Sequence, residues 1–181
     1  MYRIRTIWTG PVGTPYLSTH YFNEGAGTAQ QAADAVAAFW GAVDNFVNSA
    51  CVWRVDNAVY TVNSGSGLAT GISTVVGGTG TGSGAGDMLP LASQGVVQWR
   101  TGTFVGGREI RGRTFIPGIS ETYSVNAPTS TVIAGVNTAA ANLIADANSI
   151  LDIYSKVGHT ETAVAAGTMW NQFAVLRSRR D

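Results

Sequence analysis

Polar and apolar residues alternate from Tyr2 to Trp8, with Tyr2, Ile4 and Thr6 on one side and Arg3, Arg5 and Ile7 on the other. A period of two predicts a β-strand. The segment Gly10-Pro11-Val12-Gly13-Thr14-Pro15 reads as a loop, and Leu17 to Phe22 as a second strand returning beside the first. The period then changes. Ala32, Val36, Phe39, Trp40, Val43, Phe46 and Val47 recur at helical spacing, predicting an amphipathic helix over 29–48 with Thr28 as its N-cap. Gly41 lies inside that helix, where it costs up to about 1 kcal/mol relative to alanine, and close packing is the reason expected for it.

Strand composition returns from Cys51 to Val62, and Gly65-Ser66-Gly67 turns the chain into another strand from Leu68 to Val76. The following run, GGTGTGSGAG from Gly77 to Gly86, is low in complexity and reads as a long, flexible surface loop, extending to residue 87. Val96 to Pro117, VVQWRTGTFVGGREIRGRTFIP, reads as a hairpin turning at Gly106-Gly107, because glycine accepts the positive φ of tight hairpin turns. Strand alternation puts Arg111 and Arg113 together, opposite Ile110, Gly112 and Thr114. A second helix is predicted over 131–157, capped near Thr129 or Ser130 and stopped by Gly158, and a last strand over 169–176. These elements predict one domain spanning 1–181. Its fold class is α+β, mainly antiparallel β-sheet with two amphipathic helices, and a coat-protein-like β-sandwich is one architecture that fits.

Composition changes the picture in one respect. Charged residues are 12% of the chain, about half the usual share, while hydrophobic residues reach 45% and glycines number 23. A free monomer normally needs a charged skin, so much of this surface is expected to be covered by other subunits. The other reading is a glycine-rich β protein with a Ser/Thr/Asn surface. Net charge is zero, so no global field steers the chain towards nucleic acid or membranes. Ten of the eleven basic residues are arginine, Lys156 being the exception, and arginine suits phosphate, carboxylate and interface ion pairs. A GC-rich genome would give the same bias.

Catalytic and metal-binding motifs do not appear. His20 and His159 lack ligand-spaced partners and read as surface histidines. Cys51 beside Val52 and Trp53 reads as a buried small hydrophobe, and a single cysteine excludes an internal disulfide. Asp34 and Asp44 need no role beyond solubility. The glycine run lacks the lysine and following helix of a phosphate cradle. Trp8, Trp40, Trp53, Trp99 and Trp170 sit in apolar runs and are expected in the core, with base stacking by Trp99 a lesser reading. No apolar run reaches the ~20 residues of a membrane span, and MYRIRTIWTG lacks the apolar region of a signal peptide. The expectations are no enzyme, no cofactor, no metal, no membrane, and synthesis without processing. The chemistry left is arginine: Arg100, Arg108, Arg111 and Arg113 on the hairpin, with Arg177, Arg179 and Arg180 at the end, as a surface for subunit carboxylates or nucleic-acid phosphates. Edge-blunting, solvated arginines are the bland alternative.

Trp99-Arg100-Thr101, Gly106-Gly107-Arg108, Arg111-Gly112-Arg113-Thr114-Phe115 and Pro117, with the ending Leu176-Arg177-Ser178-Arg179-Arg180-Asp181, resemble a pattern in small viral structural proteins known mainly from environmental virus sequences. The opening RTIWTGPVGTPYLSTHYF is similar in style. The resemblance covers about a quarter of the chain and implies a virion component made in the host cytoplasm. Its form would be the coat subunit of a small icosahedral particle, or a phage head-completion, tail or tube protein. The partner implied is the chain itself in a large homo-oligomer, with genomic nucleic acid a further partner. Many small coat proteins hold the genome with a long basic N-terminal arm, and MYRIRTIWTG is not of that kind, so genome contact is expected to rest on the folded arginines. A monomeric receptor- or glycan-binding module, using exposed aromatics and the glycine run, is the alternative from another class.

Overall fold

A computed structural model describes residues 1–10, 16–22, 27–63, 66, 68–84, 93–105, 108–116, 134–136, 138–139, 141–143, 154–157, 160–163 and 170–175. The alternating N-terminal segments form β1 (Tyr2–Thr9) and β2 (Tyr16–Phe22), an antiparallel pair with Ile4 opposite His20 and Thr6 opposite Ser18. The other edge of β1 is shared between β3 (Val52–Val55) and β4 (Ala58–Val62). Thr6 faces Val55 in β3, whereas Arg3 faces Tyr60 in β4. The register therefore moves by two residues at Asp56-Asn57, where the Asp56 amide still donates to the Arg5 carbonyl at 2.9 Å. The strand predicted over 51–62 is one extended run with this interruption.

β5 (Ala69–Thr74) pairs with β4, and β6 (Thr79–Thr81) pairs with β3. The Val75 amide donates to Asn57 and the Val55 amide to Gly78, both at 2.8 Å, which stitches the two halves together. The sheet is thus four antiparallel runs side by side: β2, β1, β3 with β4, and β6 with β5. β6 corrects the reading of the glycine run as a flexible surface loop. Residues 79–81 are a strand, and a Cβ on Gly80 would lie 2.6 Å from the Trp53 indole nitrogen. The glycines let the backbone press against that ring.

α1 (Ala29–Val43) begins where predicted. Thr28 Oγ1 accepts from the Gln31 amide, and Gln31 Oε1 accepts from the Thr28 amide, a reciprocal capping box. The helix ends earlier than its apolar spacing suggests, passing through a 3-10 turn, Asp44–Phe46, into extended Val47. The cause is competition for carbonyls. Ser83 and Gly84 donate to the carbonyls of Asp44 and Val47, supplying from the glycine run what further helix would have supplied. Gly41 is exposed with nothing within 4 Å of where a Cβ would sit, so close packing does not explain it.

The core lies between α1 and one face of the sheet. Ile4 and Trp8 of β1, Phe22 of β2, and Trp53, Val55 and Val59 meet Val36, Phe39, Trp40 and Val43 of α1. Trp8 and Phe39 each meet Trp40 edge to face, with ring centres 5.1 and 5.0 Å apart. The Trp40 indole nitrogen donates to Thr6 Oγ1 at 2.9 Å, so the hydroxyl buried on β1 is satisfied by the helix it faces. Residues 134–136, 138–139 and 141–143 are helical and add Val136, Ala139 and Leu143 to this core, with Gly135 against the Phe46 ring.

The second predicted helix runs too far. Residues 154–157 form β9 (Tyr154–Val157), paired with β10 (Thr160–Ala163), rather than the helix's last turn. Gly158, read as the helix stop, lies outside the described residues. The predicted arginine hairpin is present as β7 (Ser93–Val105) and β8 (Arg108–Ile116). β11 (Trp170–Val175), within the last predicted strand, pairs with the far side of β7. β8 lies against β2. The protein is α+β and mainly antiparallel sheet.

Candidate interaction surface

Side chains of β1 that do not enter the core are Arg3, Arg5, Ile7 and Thr9, on the face away from α1. The register sets their neighbours. Arg3 stands between Tyr21 of β2 and Tyr60 of β4, and Ile7 between Leu17 and Arg54. Both arginines reach the same ring: the guanidinium carbons of Arg3 and Arg5 lie 4.8 and 5.4 Å from the centre of Tyr60. Stacking on a π face fixes the guanidinium planes without consuming their charge. Neither forms an ion pair with a described residue, whereas Arg54 lies 3.6 Å from Asp56. Leu17, Val52 and Ile72 share this outer face and are exposed, Ile72 the most at 65%. The outer face thus interleaves open apolar side chains with arginines held by an aromatic ring.

The arginines singled out from the sequence fall as follows. Arg100 of β7 is directly opposite Arg111 of β8, and Gln98 is opposite Arg113. Arg108 is opposite Val105 in the same ladder. Arg177, Arg179 and Arg180 lie outside the described residues. Arg3, Arg5 and Tyr60 were not identified as a unit from the sequence. The signal was the paired arginines on the polar side of an alternating strand, but Tyr60 joins them only through the β1–β4 register.

His20 corrects its reading as a surface residue. It is buried on β2 between Phe39 and Trp40, with ring centres 6.0 and 6.4 Å away. Burial holds its pKa down to about 3, so it is a neutral ring in the core. Cys51 is buried as expected, and desolvation pushes its thiol up, away from the reactive thiolate. Asp44 does more than solubilise: Oδ2 accepts from the Trp53 indole nitrogen at 3.1 Å. Partial burial raises its pKa, and the same hydrogen bond works in the opposite direction. Among the described residues no cluster of His, Cys, Asp or Glu is placed to hold a metal, and no helix is long and apolar enough to cross a membrane. Comparison with protein-family models, curated proteins and solved structures finds nothing that matches this chain.

Proposed function

We propose that this chain is a structural subunit that assembles with copies of itself, a viral coat subunit, and that its arginines meet subunit carboxylates or genome phosphates. The observation that carries this reading is the outer sheet face. Arg3 and Arg5 are stacked on Tyr60 beside exposed Leu17, Val52 and Ile72. Apolar area left open in a charge-poor protein favours association, and oriented guanidinium groups favour an anionic counterpart. The likeness of the hairpin and the terminal LRSRRD to small virion proteins points the same way. A head-completion, tail or tube role uses the same surfaces and differs in symmetry.

Size-exclusion chromatography with light scattering, followed by negative-stain imaging across salt and pH, tests the reading. Closed particles or tubes of regular size are the expected outcome. A stable monomer at high concentration under all conditions sinks it and leaves the monomeric binding module. Replacing Arg111 and Arg113 together with alanine is expected to impair assembly or nucleic-acid retention while the circular dichroism of the subunit stays unchanged. Assembly and retention equal to wild type would remove these arginines from the contact.

A further inference from the structure

We propose that the outer edge of β5, from Gly71 to Thr74, takes the β5 of a second copy of this chain, antiparallel across a twofold axis, making one sheet continuous through two subunits. The inference deepens the self-assembly reading by naming its first contact. β5 ends the described sheet, paired with β4 on one side and with no described strand on the other. It is exposed along almost its whole length.

The backbone states which groups are open. Val75 turns its amide inward to Asn57. Inward and outward residues alternate in an antiparallel ladder, so Ser73 and Gly71 also face β4, and the amides and carbonyls of Ile72 and Thr74 face outward. The next outward position, Val76, is closed. Gln30 of α1 accepts from its amide at 2.9 Å and donates to its carbonyl at 3.0 Å, occupying both groups a continuing strand would use. The open edge therefore has a defined end.

Charge selects the occupant. Proteins usually defend such an edge with a lysine, another charge or a proline. Here residues 57–86 contain no Asp, Glu, Lys or Arg, and residues 69–74 no proline. A twofold axis at Ile72 sets that residue beside its own copy, where a charge would repel itself; this edge carries none. Centred on Ile72, the pairing puts Ile72 against its counterpart, a β-branched side chain suited to cross-strand contact. Thr70 is the extra residue of the bulge between Thr61 and Val62, which breaks the alternation there and limits the open ladder to Gly71–Thr74.

The test measures association by light scattering over a dilution series for the wild type, Ile72→Lys and Thr74→Pro. Lysine at 72 would face its own copy. Proline at 74 removes an outward amide while sparing the β4 ladder. Ala38→Lys, on the exposed side of α1, is the control. Each β5 variant is expected to weaken the dimer about tenfold or more with the control unchanged, and hydrogen exchange on the wild type should slow at the Ile72 and Thr74 amides as it associates. Undiminished pairing of both variants, or no change in that exchange, overturns the inference. Dimers that depend on β5 but never build particles would uphold it and remove the coat reading. Particles that form as readily with Ile72→Lys would do the reverse, and a wild type that stays monomeric at all concentrations overturns both.

Discussion

Trp53 shows how one side chain can dictate the sequence of a distant strand. Its indole lies where Gly78 and Gly80 pass, and its nitrogen is held by Asp44, so the ring has nowhere to move. Gly80→Ala is expected to cost about 1–3 kcal/mol, as overpacking a fitted core does, read from urea unfolding. His20 makes a different statement. It is neutral at and above pH 7 in both folded and unfolded chains, so it contributes no pH dependence there. Below about 6.5 the unfolded chain takes up a proton that the folded one refuses until about pH 3. Stability from this group is thus present above the unfolded pKa and lost as pH falls, at about 1.4 kcal/mol per pH unit. Between pH 7 and 4.5 the loss should be about 2–3 kcal/mol, and His20→Phe should remove it. An unchanged slope in that variant would assign the acid sensitivity to other groups.

At the scale of elements, local signals predicted what local physics decides. Thr28 announces a capped helix, and β1, β2, β7 and β8 follow from alternation and turn glycines. Failures came where a distant segment supplied or withdrew hydrogen bonds. α1 stops at Val43 because Ser83 and Gly84 reach the carbonyls beyond it, and no window around the helix contains them. The glycine run read as a loop because glycine has no side chain to show periodicity, although Trp53 gives it a partner. His20 stood on an alternating strand whose inward side was already legible as Ser18, His20 and Phe22, but a polar ring argued for solvent. Gly41 is the element-scale opportunity. With open space around it and an ordinary helical backbone, Gly41→Ala should stabilise the fold by about 0.5–1 kcal/mol, measurable as a rise in Tm.

For the molecule as a whole, the sheet has an outer face and, along β5, an edge that its own described residues do not consume. The inner face is satisfied by aromatic packing against α1, while the outer face and the β5 edge keep apolar surface, arginines and backbone groups available. Arg3, Arg5 and Tyr60 could not be joined from sequence, since their meeting depends on how β4 slides along β1. That slide has its own consequence. The interruption at Asp56-Asn57 is two residues long, an even number, so Val59 comes level with Ile4 on the covered side just as Val55 does with Thr6. An odd interruption would turn the rest of the chain inside out, exposing Val59 and driving Tyr60 inward. Length at this point is therefore quantised. Sequences that keep this fold can gain or lose residues between β3 and β4 only in pairs, and removing Asn57 alone should abolish folding where removing Asp56 and Asn57 together does not.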